Sequence, residues 1–229
     1  RVANSSLHAR RLDVADADGF AALVDEVVAT HGRLDWLVNN AGIVGGGELA
    51  DMSLAQERAI VDTNLWGVLH GSRLAAAHMR RRRAGHIVNV ASMAAMLPVP
   101  YSAVYTATKH AVLGFSLALR EELREYGVGV HCFCPDIVDT SIFDTSLDND
   151  GYDYRRVIDR HAGRAIGVDV AVRCLVDGVA RDAAIIFAPS RSRILGTLSR
   201  LAPSWLAHFA ASRMRAQNTS ATTTTKEIA

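Results

Sequence analysis

The stretch HIVNVASM, residues 86–93, decides the fold. Its first five residues form a short, near-continuous apolar run, and a small polar turn follows. A strand that is covered on both faces has this character, because neither face needs to alternate with water. Three other runs read the same way: LDWLV (34–38), VGVHCF (128–133) and AIIFA (184–188). Helical periodicity fills the spaces between them. Phe20, Leu23, Val24, Val27 and Val28 form one apolar stripe, with Gly32 placed to stop the helix. A long helix is expected from Leu54 to Arg83, its RRRR run (80–83) lying where cations suit the helix dipole. Val112, Phe115, Leu119 and Leu123 mark a third stripe, closed by Gly127, and a fourth helix is expected over 168–181. Strands alternating with helices imply long crossovers. The expected fold is therefore α/β, a doubly wound parallel sheet in three layers with right-handed connections.

Composition narrows the function classes. The 229 residues suffice for one domain with a substantial core. Lys+Arg total 25 against 24 Asp+Glu, a net charge of +1, so electrostatics gives no case for nucleic acid as a partner. No apolar run approaches the ~20 residues that span a bilayer, and the opening residues do not read as a secretory signal. Cys132 and Cys134 lie two apart in a strand, with no further Cys or His at zinc-ligand spacing around them. Together with Cys174 they read as reduced thiols of a cytoplasmic protein, and no metal is expected. On the same ground the glycosylation sequons at Asn4 and Asn218 are discounted.

In a doubly wound sheet, ligands bind beyond the carboxyl ends of the strands. After the first run comes NNAG (39–42); after the second, ASM with Ser92; after the third, CPDIVDT (134–140). Tyr105 and Lys109 follow Ser92 on a helix, four residues apart and hence on one face. Asn64 lies within the long helix. Each of these has an ordinary reading taken singly: Asn64 as a helix kink, Ser92 as a cap, Gly42 as a turn residue, and the Tyr–Lys pair as a chance spacing.

Together they resemble the short-chain dehydrogenase/reductase family. The matching pieces are LDVAD (12–16), NNAG (39–42), VDTNLWG (61–67), VNVAS (88–92), YTATK (105–109) and CPDIVDT (134–140), in the family's order and spacing. The resemblance implies a Rossmann-like fold and an NAD- or NADP-dependent oxidoreductase that interconverts a secondary alcohol and a ketone. Asn64, Ser92, Tyr105 and Lys109 would be its catalytic residues. Tyr105 would exchange the proton, with the Lys109 ammonium lowering its pKa. Ser92 would hold the substrate oxygen, and Asn64 would anchor a water joining Lys109 to solvent. Cofactor contacts would come from Asp13 and Val14 at the adenine, from Asn39, Ala41 and Gly42 beneath the ribose, from Tyr105 and Lys109, and from Pro135, Val138 and Thr140 at the carboxamide. The resemblance also implies a homo-oligomer.

Two departures matter. The family's Gly-rich T-G-x-x-x-G-x-G turn is not in the sequence, which begins to match just before the family's third strand. The expectation is a chain truncated at its N-terminus, lacking the fold's first strand–helix units; GIVGGG (42–47) follows NNA and is no substitute. The alternative is an impaired or non-catalytic remnant of the fold. Asp136 stands where the family has glycine, and it is expected to weaken binding at the nicotinamide end. On this reading residues 1–190 form the Rossmann-type domain, 191–216 a C-terminal helical segment, and 217–229 a disordered tail. SLDNDGYDYR (146–155) reads as a mobile loop over the substrate. Few clustered charges in 140–165 or the C-terminal segment could clamp a phosphate or carboxylate, so an apolar small-molecule substrate is expected. The segment RILGTLSRLAPSWLAHFAASRMR (193–215) is apolar with scattered Arg. Its ordinary reading is packing on the core or on another subunit, and its sharper one is contact with a membrane surface.

Overall fold

A computed structural model describes residues 7–149, 152–159 and 165–201, together with 204, 205, 208, 211 and 212. The tail at 217–229 and both sequons lie outside the described residues. Helix α1 (Ala17–His31) opens at Asp16, whose carboxylate accepts from the Asp18 and Gly19 amides, and ends at Gly32 in the left-handed conformation. Strand β1 (Trp36–Asn39) follows. Then come α2 (Leu54–Val61), α3 (Gly67–Arg82), β2 (Gly85–Val90), α4 (Ala103–Arg124), β3 (Val128–Pro135), α5 (Tyr154–Asp159), α6 (Val168–Ala180), β4 (Ile185–Ala188) and α7 (Ser192–Leu201). The four strands form one parallel sheet in the order β1-β2-β3-β4. Among the described helices none is long and apolar enough to cross a membrane.

Both faces of the sheet are covered, as the run composition requires. Ile87 and Val130 point to one face, where Ala75 and Met79 of α3 and Leu119 and Leu123 of α4 pack on them. Their neighbours Val88 and Phe133 point to the other, against Ala171 and Val179 of α6. Trp36 and Val38 of β1 are the exception, 41% and 43% exposed.

Several boundaries differ from the sequence reading. The first strand begins at Trp36 rather than Leu34, because pairing to β2 starts at Trp36 opposite His86. The third runs on to Pro135, since Cys134 and Pro135 pair with Phe187 and Ala188 of β4. The long helix is not uniform: a π-helical turn, Asp62–Trp66, joins α2 to α3 and contains Asn64. An inserted residue of this kind turns a side chain out of the regular i, i+4 rows.

A buried polar chain crosses the layer between sheet and helices. Asn39 Nδ2 donates to Asn89 Oδ1 at 2.7 Å and to Ser72 Oγ at 3.0 Å. Ser72 Oγ donates to the same Asn89 oxygen, and Asn89 Nδ2 donates to Ser116 Oγ at 3.0 Å. The chain links β1, β2, α3 and α4 through groups that satisfy one another away from water. Asn89→Leu leaves the Asn39 amide and two serine hydroxyls short of partners. It is expected to lower stability in urea unfolding by about 3 kcal/mol; a loss well under 1 kcal/mol would show the chain to be dispensable.

Candidate active site

The turns that leave β1, β2 and β3 at their carboxyl ends meet at one rim, and α4 delivers two side chains to it. Tyr105 sits in the first turn of α4 and Lys109 one turn on. Lys109 is buried; its Nζ donates to Val90 O at 3.1 Å and lies 5.5 Å from the centre of the Tyr105 ring. Ser92 ends the β2 turn. Its hydroxyl accepts from the Ala94 amide at 3.1 Å, capping a short 3-10 turn, and it also hydrogen-bonds Tyr105. The capping role and the contact with Tyr105 therefore coexist in one residue.

Asn64 reaches the same place from the π turn. Fully buried, it accepts from the Ile43 amide and donates to the Ile43 carbonyl, both at 2.8 Å. This two-point clamp fixes the backbone that follows Gly42. A side chain added to Gly42 would begin 3.3 Å from Asn64 Oδ1 and 3.5 Å from Lys109 Nζ. The bare backbone at Gly42 thus packs closely against an amide oxygen and a buried ammonium. Thr108, which sequence reasoning missed, completes the joint. Asn64 Nδ2 reaches its hydroxyl at 3.4 Å, and that hydroxyl donates to Tyr105 O. The only available signal was its place inside YTATK.

The electrostatics correct one expectation. The pKa of Tyr105 is raised, not lowered. Burial of its hydroxyl is the main cause and the neighbouring Tyr154 phenol adds to it, while the hydrogen bond with Ser92 pulls the other way. Lys109 does not offset this, because its ammonium lies by the ring and is bound to Val90 O rather than set against the hydroxyl. Burial also lowers the Lys109 pKa to about 8, against which Cys132 and Cys134 pull upward.

Other expected site residues fall less centrally. The Asn39 side chain turns into the core and serves the buried polar chain, leaving only its backbone for the rim. Asp13 is exposed and its carboxylate accepts from the Ala15 amide. Val14 packs on Gly67, and its carbonyl lies 3.3 Å from His70 Nδ1. Ala41 is exposed beside Gly42. Pro135 ends β3, Val138 bridges Ile166, and Thr140 is exposed before the 3-10 turn Ser141–Phe143. The Asp136 carboxylate is occupied: it accepts from the Ile137 amide at 3.0 Å and from Ser192 Oγ at 3.3 Å.

The described part of 146–155 is docked rather than free. Asp148 is its hub, accepting from the Gly46 amide, the Ser146 hydroxyl and the Tyr154 amide at 3.0, 2.8 and 2.8 Å. Asn149 Nδ2 donates to Glu48 O at 2.7 Å. The glycines of GIVGGG make this possible. A Cβ at Gly46 would come within 2.7 Å of the Tyr154 ring, and Gly47 has φ +129 with Asn149 against it. The run is thus a bed for the tyrosine-bearing segment, and Phe143 stacks on Tyr154 from the other side.

The model of the family described as short chain dehydrogenase matches residues 1–151. The chain is 36% identical over 201 residues to "Probable oxidoreductase EphD" of Mycobacterium tuberculosis, a match that covers 84% of this chain and 34% of that protein. A short chain dehydrogenase/reductase from Burkholderia phymatum, solved in complex with NAD, superimposes with a TM-score of 0.72 at 31% identity, covering 82% of this chain and 72% of that one. A gluconate 5-dehydrogenase from Burkholderia cenocepacia, solved with NADP and tartrate, gives a TM-score of 0.56 at 33% identity over 57% of this chain and 51% of that one. The chain spans about a third of EphD and about half of the gluconate dehydrogenase. It belongs to the short-chain dehydrogenase family.

Two outcomes test this geometry. The Lys109 pKa falls from 10.5 to about 8 on folding. Below pH 8 both states hold the proton and the full cost of burying the charge is present. Between 8 and 10.5 the unfolded chain binds more protons, so stability rises with pH by up to about 1.4 kcal/mol per unit. In urea titrations at successive pH values Lys109→Met is expected to lose that rise, and an unchanged slope would contradict the burial of charge. Asp148→Ala removes three hydrogen bonds, and hydrogen exchange at the Gly46 and Tyr154 amides is expected to quicken by about 10-fold or more.

Proposed function

We propose that this chain carries the proton-transfer half of an NAD(P)-dependent oxidoreductase that interconverts a secondary alcohol and a ketone. The observation that carries the reading is the meeting of Tyr105, Ser92 and Lys109 beside the bare backbone of Gly42, with Asn64 clamping the backbone that follows. Those residues fit the nicotinamide riboside end of such a cofactor. The bare backbone of Gly42 lies close to the Lys109 ammonium, Lys109 offers a buried cation able to bind ribose hydroxyls, and the turn 135–140 borders the same rim. The bound nicotinamide would supply or accept the hydride.

In ketone reduction the Tyr105 hydroxyl gives its proton to the substrate oxygen. Its raised pKa keeps that proton in place at neutral pH, which suits the reductive direction. Ser92 donates a second hydrogen bond to the same oxygen and stabilises the charge that builds there. Lys109 orients the ribose and holds positive charge behind the ring of Tyr105. Asn64 holds the 42–43 backbone at its distance from Lys109, and the path to solvent would pass its carboxamide. NAD-bound and NADP-bound relatives both support a nicotinamide cofactor without choosing between them.

The aromatic side chains near the site support an apolar substrate. Tyr101, Phe143, Tyr152 and Tyr154 gather above the rim. An open apolar cavity of about 650 Å³, which Tyr105, Ser92 and Lys109 do not line, lies beside the first turns of α4, bordered by Pro98, Val99, Ala103 and Ala107 together with Thr106 and His110. In the intact enzyme, Tyr105→Phe is expected to lower kcat for ketone reduction by about 10²–10⁴-fold while NADH or NADPH still binds. Turnover within a few-fold of the native value would refute the acid role.

A further inference from the structure

Helix α7 is amphipathic, but it is mounted the wrong way round for a packing helix. The residues it buries are Ser192, Gly196 and Ser199, a small face at i, i+4 and i+7. Gly196 lets the helix lie close on the Phe187 ring, where an added Cβ would come within 2.8 Å, and Met96 is next to it. The large apolar residues point outward: Ile194 is 69% exposed, Leu198 49% and Leu201 78%. Leu195 is exposed too, and Trp205 beyond the helix is 67% exposed. A helix that docked by its apolar stripe would show the opposite pattern.

Charge supplies the second observation. Between Asp182 and Glu227 the sequence holds no carboxylate side chain, whereas it has Arg191, Arg193, Arg200, Arg213 and Arg215. In the described part, Arg191, Arg193 and Arg200 are exposed, and Arg193 and Arg200 share one flank of the apolar stripe. Two copies facing each other through this helix would set arginine against arginine with no acid in the segment to pair them. An apolar stripe flanked by cations and by no carboxylate instead matches a surface that is greasy within and negative at its edge.

We propose that α7 is an interfacial helix that seats the protein on a lipid bilayer containing anionic phospholipid. Ile194, Leu198 and Leu201 enter the boundary between headgroups and acyl chains, while Arg193 and Arg200 meet phosphate oxygens. The helix stays at the surface, being far too short to span. This contact does not depend on the catalytic reading. It places the exposed stripe of the segment that leads on to His208 and Ala211, which border the apolar cavity beside α4, against lipid.

The test is co-sedimentation of the intact protein with vesicles of phosphatidylcholine alone, and of phosphatidylcholine and phosphatidylglycerol in equal parts. The protein is expected to pellet with the mixed vesicles and to release progressively as salt rises. Ile194→Asp with Leu198→Asp should lower partition by about 10-fold or more. Arg193→Ala with Arg200→Ala should lower it by a similar factor on the mixed vesicles only, at about 1 kcal/mol per arginine. Circular dichroism melts matching the native protein show that the variants are folded, and the salt response of the native chain gives a reading that needs no variant. Failure of the native chain to bind, equal binding by the apolar variant, or an oligomer in sedimentation velocity that Leu198→Asp dissociates would each overturn the proposal. The last result would assign the face to a second copy.

Discussion

The clamp between Asn64 and Ile43 ties the fold to the site. One carboxamide takes both backbone groups of a single residue, and to do so it must leave the regular helical rows. The π turn at Asp62–Trp66 is what allows this. Without it the Asn64 side chain would stay in the i, i+4 rows of a regular helix. With it, the turn after β1 is held at fixed height over α4, and Gly42 is set between Asn64 and Lys109. A pair of hydrogen bonds inside the protein holds firm because water cannot compete for either partner.

The same low polarity shapes the chemistry around it. Lys109 is held away from water against Val90 O, which depresses its pKa, while Tyr105 is pushed the other way. Burial thus keeps the phenol protonated at neutral pH and brings the ammonium closer to losing its proton. The polar groups deeper in the layer, from Asn39 to Ser116, have no such role. They close on themselves and hold β1, β2, α3 and α4 in register.

The segment above the rim and the C-terminal helix show how small residues direct large ones. The bare backbone of Gly46 lets tyrosine rings lie on the chain, and Asp148 holds that segment there. At α7 the small face formed by Ser192, Gly196 and Ser199 goes inward and sends the leucines out. In both places the glycine is what the neighbouring ring rests on. Reading glycines only as turn formers or phosphate binders leaves this use unseen.

Much was legible in the sequence because burial on both faces of a parallel sheet leaves short, continuous apolar runs bounded by turn residues. HIVNV, VGVHCF and all of AIIFA but Ala184 lie in strands, and the stripe from Phe20 to Val28 lies in a helix, since period and apolar content follow directly from what each face touches. Tyr105, Lys109, Ser92 and Asn64 could be named because ordered motifs carried them. Their surroundings could not. Whether Asn39 faces the rim or the core, what fills the carboxylate of Asp136, that Tyr105 gains a higher pKa rather than a lower one, and which side of α7 meets the protein all depend on contacts between residues far apart in the chain. By itself the sequence determined the strands, the helices and the residue types at the strand ends, because those rest on local periodicity. Only the tertiary structure decided which polar groups are shut away from water, because desolvation depends on everything packed around a group and not on its neighbours in sequence.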